Sequence, residues 1–397
     1  MDDKKEIIEE VEDSDNETFT YTVDNNNLRN DYNKNNFDEK KSFIYILVGF
    51  CILVFIIVLL VIFANKNNSK NAEYTDIESK MVSGAKKYYD KYKDKLPVLD
   101  GDNVSISVDT LVENSFLVPL SEMTDGKSCS GYVKVYKNGE DFSYFPYLNC
   151  GEEYESSVLS KKIIDSGVVT SGEGLYKVND EYFFRGEYPN NFVKFDDQLW
   201  RILRINSDGS IKLLYVDKKK EKNVWDDRYN SDKDNYVGIN NFRVSRLLEY
   251  LNKVYDNNTF VSKNNKKYLV KHNWCIGKVS ENDISYSNLN LCSDVYSDLY
   301  IGVVQLDDLL IPSIDPKCVN LYDNECTNYN YLYSYNIGWT LNASTDRSSI
   351  AFSSNNGEIV TKTTSYEGHI KPVVNINGNV LYKSGSGTEK SPYVIGD

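Results

Sequence analysis

Residues 129–150 read CSGYVKVYKNGEDFSYFPYLNC. Between Gly131 and Lys137, and again between Phe142 and Leu148, side chains alternate at the two-residue period of a pleated strand. Asn138-Gly139 between them tolerates the positive φ of a tight hairpin turn. Counting outward from a turn centred near Gly139–Glu140 brings Cys129 and Cys150 almost opposite each other. A disulfide is expected there, worth about 2–4 kcal/mol through loop entropy. A metal site is a poor rival, because two isolated thiols without a nearby histidine lack the ligands of structural zinc.

Working outward toward the N-terminus, Ile77, Met81, Ala85, Tyr88 and Tyr92 recur at helical spacing. Thr75 and Glu78 fit a capping box at its start, and Pro97 follows as a stop. A second short helix is expected at Asp109 to Asn114. Before these lies a polar linker, then FIYILVGFCILVFIIVLLVIFA at Phe43 to Ala64, 22 residues without a charge. A bilayer core takes about 20 such residues. A cleaved secretory signal has an apolar core of about 7–15 residues near the N-terminus. The stretch is therefore expected to be an uncleaved signal anchor, one transmembrane helix whose partner is the lipid bilayer through residues 43–64. Residues 1–42 carry 13 acidic and 6 basic side chains with little apolar periodicity, so they are expected to be a disordered cytoplasmic tail.

Net charge is -14 and the pI about 4.8, which argues against nucleic-acid binding, since that needs a basic stripe. Of seven cysteines, Cys51 falls in the apolar stretch, where it reads as a filler. The other six, Cys129, Cys150, Cys275, Cys292, Cys318 and Cys326, all lie C-terminal to it. An even number on one side points to an oxidising exterior, so the bulk of the chain is expected outside the cell. Cys275 with Cys292 and Cys318 with Cys326 are the expected further pairs, other connectivities remaining open.

Toward the C-terminus, residues 156–172 read as a connector. From Gly174 onward the chain is strand-rich. Phe192 to Phe195 is one strand. Leu199 to Val216 form a hairpin turning at Asp208-Gly209, with Leu203 expected opposite Leu214 and Ile205 opposite Lys212. Val244, Leu247, Leu248, Leu251 and Val254 mark an amphipathic helix. An apolar segment at Ile301 to Leu310, a hairpin at Asn356-Gly357 and a final strand at His369 to Asn375 complete the pattern. The class is α+β, antiparallel and loop-rich, with a membrane-proximal domain at 65–155 and a larger one at 172–397.

No catalytic constellation emerges. His272 and His369 are the only two histidines and make no zinc motif; His272 lies near Cys275, but no third group orients such a pair. Neither G-x-G-x-x-G nor a P-loop occurs, so no cofactor is expected. The acidic stretch from Trp225-Asp226-Asp227 through Asp234 departs from the EF-hand loop and admits calcium only through loop oxygens. Trp225, Trp274 and Trp339, with Trp200, serve either as platforms for sugars or, as Trp more often does, as core. The first three, together with Lys371, are the candidate ligand-facing residues.

Several short motifs together resemble a domain of single-pass surface proteins of Firmicutes and Mollicutes-like bacteria. They are Leu199-Trp200-Arg201-Ile202, Asp208 to Leu214 (DGSIKLL), Leu251-Asn252, His272 to Gly277 (HNWCIG), Gly338-Trp339-Thr340-Leu341, Ile370-Lys371-Pro372-Val373 and Gly385 to Tyr393 (GSGTEKSPY). Where that family carries Arg, this chain has Lys371, which lacks the planar fork. The domain is distantly similar to the formylglycine-generating-enzyme and C-type-lectin-like fold. The resemblance implies a loop-rich α+β binding scaffold; the enzyme's late cysteines are absent after Cys326. Residues 43–150 resemble the membrane-anchored, pilin-like segment accompanying that domain, through Ala85 to Tyr89, Leu111 to Leu117 and Cys129 to Val133.

The leading expectation is thus a membrane-anchored cell-surface binding or interaction protein with a protein or glycan ligand. A structural, pilin-related envelope component is the alternative. An extracellular hydrolase is the third, since paired carboxylates need no linear motif.

Overall fold

The structure, a computed structural model, describes Tyr45 and residues 47–59, 73–217, 221–228, 238–289, 292–355 and 357–396. The chain divides into two units, Met1–Glu73 and Tyr74–Asp397. In the first, residues 47–59 are helical, and their large apolar side chains are exposed. The expected transmembrane helix is corrected here: among the described residues no helix is long and apolar enough to cross a membrane. At 1.5 Å per residue the described helix reaches about 20 Å, against a hydrocarbon core of about 30 Å. The tail 1–42, the linker 65–72 and the remaining positions of 43–64, except Tyr45, lie outside the described residues.

The second unit is α+β and rich in sheet. Its first helix, residues 73–91, presents Tyr74, Ile77, Met81, Ala85, Tyr88 and Tyr89 as one buried face, the stripe that 3.6-residue periodicity requires. Thr75 and Glu78 do not cap it, because the helix already runs through them. Glu78 is instead turned inward, and its Oε1 accepts from the Tyr154 hydroxyl at 2.7 Å and the Ser156 hydroxyl at 2.5 Å.

The helix covers a three-stranded antiparallel sheet of Asn103–Ser107, Ser130–Asn138 and Asp141–Asn149. Pairing runs from Ser130 opposite Asn149 to Asn138 opposite Asp141, so the turn residues are Gly139 and Glu140, with Gly139 at φ 58°. Strand period then decides the two faces. Val133, Val135 and Leu148 pack in a small core with the helix, while Phe145 enters a second, larger core with Tyr136 and Tyr147 packed against it. Segment 156–172, read as a connector, carries the helix Leu159–Asp165, whose Leu159 and Ile163 belong to that larger core.

Around the larger core lie two sheets. One has nine strands and runs through Val373–Ile376, Ile211–Tyr215, Gln198–Ile205, Phe192–Phe195 and Tyr393–Ile395, the last pair being parallel. The other has five, with Gly338–Ala343 and Ile350–Asn355 at its centre. The strand expected at His369 to Asn375 is two strands in two sheets, Glu367–Ile370 and Val373–Ile376. Pro372 has no N–H for a ladder and marks the break. The helix expected from Val244 is Arg246–Asp256, capped by the Ser245 hydroxyl on the Leu248 N–H at 3.1 Å. Its buried stripe is Leu247, Leu248, Leu251 and Val254, and Val244 stays exposed.

The hairpin over 198–215 departs from its expected register. Arg204 faces Lys212 and Ile205 faces Ile211, with a bulge between Ile202 and Arg204. The loop is closed at Asn206, whose N–H donates to the Ser210 carbonyl at 2.8 Å, rather than by a two-residue turn at Asp208-Gly209.

Candidate functional site

That register creates the first polar site. Cations directly opposite each other on a strand pair repel, yet Arg204 and Lys212 are both buried. They are held by the short helix Leu306–Leu310, which presents Asp307 and Asp308. Arg204 pairs with Asp307 at 2.7 Å and with Asp308 Oδ1. Lys212 Nζ donates to Asp308 Oδ2 at 2.6 Å and to Gln305 Oε1 at 2.7 Å. Burial pushes the Asp308 carboxyl up, but Lys212 and Arg204 more than offset this and hold it at about 2. Burial pulls the Lys212 amine down, against the pull of Asp308. Arg204, Gln305 and Asp307 line a cleft of about 870 Å³ whose wall includes the Cys275–Cys292 disulfide.

A second groove, of about 840 Å³, opens between residues 187–192, 327–335 and 388–389. The chain reads YNYLYSY from Tyr329 to Tyr335, tyrosine at every second position. The segment is tied from three sides. Cys326 is bonded to Cys318, the Asn330 amide donates to the Leu309 and Cys326 carbonyls, and the Tyr331 N–H donates to the Gly186 carbonyl at 2.8 Å. Tyr329 is held at φ 46°, a region a bulky side chain rarely adopts. The tie leaves Tyr329, Tyr333 and the facing Tyr188 at 55, 43 and 76% exposure.

Arg201 sits at the floor of this groove, 5% exposed, its guanidinium 4.0 Å from the centre of the Phe192 ring and 4.5 Å from that of Tyr331. Arg201 Nε and the Tyr331 hydroxyl are buried without a hydrogen-bond partner among the described residues. Burial also pushes the Tyr331 phenol up, keeping it protonated as a donor. Asn190 and Asn328 add amides to the rim.

The residues singled out from the sequence fall elsewhere. Cys129–Cys150, Cys275–Cys292 and Cys318–Cys326 are disulfides, with Cα separations of 4.2, 5.6 and 4.6 Å. Cys275 therefore offers no thiol to His272, which instead lies 3.5 Å from Asp208. Trp225, Trp274 and Trp339 are fully buried. Their indole N–H groups donate to the carbonyls of Thr340, Leu299 and Asn223, so they are core residues and do not face a ligand. Lys371 donates to the Asp217 carbonyl at 3.1 Å and lies outside both grooves. The oxygens of Asp226 accept from Arg228, Ile239 and Arg246, and the rest of that acidic stretch from 229 to 237 lies outside the described residues. Among the described residues no group of three or more His, Cys, Asp or Glu is arranged for a metal ion.

Both grooves escaped the reading of the sequence. Their signals were the alternating tyrosines of 329–335 and the lone Lys212 inside the apolar run Ile211–Tyr215. Comparison of the chain with protein-family models, curated proteins and solved structures finds no match in any of the three.

Proposed function

We propose that the chain is a carbohydrate-binding protein working outside the reducing cytoplasm, with the tyrosine-lined groove as its ligand site. The observation that carries this reading is the pairing of exposed Tyr188, Tyr329 and Tyr333 with two buried, unsatisfied donors at the groove floor. Aromatic faces stack on the apolar faces of sugar rings, while fixed polar groups set the orientation of the bound ligand. Arg201 Nε and the Tyr331 hydroxyl would donate to ring or hydroxyl oxygens, and the Asn amides would serve the outer hydroxyls. The volume falls within the usual range of small-molecule sites. Three disulfides suit an oxidising compartment.

The test is a glycan array probed with the full chain, followed by affinity measurement on the retained sugar. Removing one stacking ring, Tyr329→Ala or Tyr188→Ala, should weaken binding about 5- to 10-fold, and Lys371→Ala should leave it unchanged. An array without retention ends the reading, as does binding indifferent to both tyrosines. Capture of a protein through the same tyrosines would replace carbohydrate by a protein ligand.

A further inference from the structure

Lys212, Gln305 and Asp308 form a cluster that the carbohydrate reading does not use. Lys212 is 2% exposed and Asp308 3%. The amine donates within this cluster, at 2.7 Å to Gln305 Oε1 and 2.6 Å to Asp308 Oδ2, and the Trp274 ring lies 5.4 Å from Nζ. The geometry points to an intramolecular amide cross-link between Lys212 and Gln305, formed by the protein itself with Asp308 as the proton carrier.

Three features argue for chemistry beyond an ion pair. First, an amine this deeply buried is pushed toward its neutral, nucleophilic form. Second, the Gln305 carbonyl is polarised. Gln305 caps the helix Leu306–Leu310, and its side chain also accepts the backbone N–H of Asp308, a fixed donor placed where an oxyanion would form. With a C=O length of about 1.23 Å, Nζ lies within about 3.9 Å of Gln305 Cδ, close to the separation of a near-attack geometry. Third, Asp308 is fixed as a carboxylate by Arg204 and by the Gln305 N–H at 2.9 Å. A carboxylate so held is a poor electrophile, which selects Gln305 over Asp308 as the partner, and its 2.6 Å contact with Nζ makes it the group placed to relay the proton.

The step balances without a co-reactant. The Lys212 lone pair attacks Gln305 Cδ and forms the N–C bond, while the carbonyl pair moves onto Oε1. Asp308 takes a proton from the attacking nitrogen and passes it to Nε2. The Oε1 pair re-forms the C=O bond as the Cδ–Nε2 bond breaks with its pair going to nitrogen, ammonia leaves through the adjoining cleft, and Asp308 is again a carboxylate. A proton initially carried by Lys212 departs with the ammonia.

Mass spectrometry of the reduced, alkylated full chain tests this directly. The expected result is a deficit of one ammonia and a proteolytic fragment joining the Lys212 peptide to the Gln305 peptide. Lys212→Met should restore the full mass, and Asp308→Asn should leave the wild-type deficit incomplete. A wild-type chain of full mass overturns the proposal. So does a deficit of one water with Lys212 joined to Asp308, or an ammonia loss without the joined peptide. Because the wild-type mass decides, failure of either variant to fold does not shelter the idea, and neither result bears on glycan binding.

Discussion

Arg204 and Lys212 stand opposite each other on adjacent strands, and only Asp307 and Asp308 make that tolerable in the interior. Removing one member of a buried charge set strands the others. Asp308→Ala should therefore cost about 3–5 kcal/mol, read as a lower denaturant midpoint at unchanged slope. The same carboxyl gives a pH signature. Its folded value, about 2, lies below the unfolded value of 3.8. It thus adds about 2 kcal/mol that is complete above pH 4 and disappears as the pH falls toward 2. Asp308→Asn should flatten that part of the acid profile, and an unaltered slope would remove Asp308 as its source. This slope rests on the charged Lys212 amine as well as on Arg204; a Lys212–Gln305 amide removes the larger of the two attractions and leaves Arg204 alone against the burial cost. Lys212 was visible in the sequence as one charge in an apolar strand. Its partner was not, because Asp308 lies 96 residues away and nothing local specifies which helix returns to that strand.

The two hairpins show what local pattern decides at the scale of an element. Around Gly139 a two-residue turn and alternation on both sides leave one register, and every pair from Ser130–Asn149 to Asn138–Asp141 follows from it. The closing disulfide should contribute about 2–4 kcal/mol; a Cys129→Ser, Cys150→Ser double variant measured by thermal unfolding checks this, and stability equal to wild type would refute it. Over 198–215 the same logic slips. The loop runs from Asn206 to Ser210 and a bulge adds a residue, and neither leaves a trace in period-two hydrophobicity where nearly every side chain is buried. That slip hid the ion network. Gly338 marks a further local constraint: its φ is +85°, and a Cβ there would fall 1.9 Å from the His369 carbonyl oxygen. Gly338→Ala should cost about 2–4 kcal/mol in the same assay; a change below 1 kcal/mol would mean that the strand relaxes freely.

Across the whole of Tyr74–Asp397 the three-stranded sheet is the joint, since its two faces feed two different cores. Apolar burial on both faces is reinforced by directional bonds. Asn138 donates to the Leu269 carbonyl at 2.6 Å and accepts from the Tyr300 hydroxyl at 3.1 Å. Asn379 accepts from the Tyr147 hydroxyl at 2.6 Å and donates to the Tyr136 hydroxyl at 2.9 Å. None of this was legible beforehand, because alternation reveals that a strand has two faces but not that both are covered. The arrangement predicts one cooperative transition. All four tryptophans belong to the larger core, and the smaller core has only tyrosine and phenylalanine as aromatics. Tryptophan fluorescence therefore reports one core, and hydrogen exchange at the Val133 and Val135 amides reports the other. In wild type the two probes should give the same midpoint. An Asn138→Ala, Asn379→Ala double variant leaves buried partners unsatisfied, at about 1–3 kcal/mol each, and should separate the midpoints, with the hairpin amides opening first. Separate midpoints already in wild type would show that the cores unfold independently and that these contacts carry no coupling.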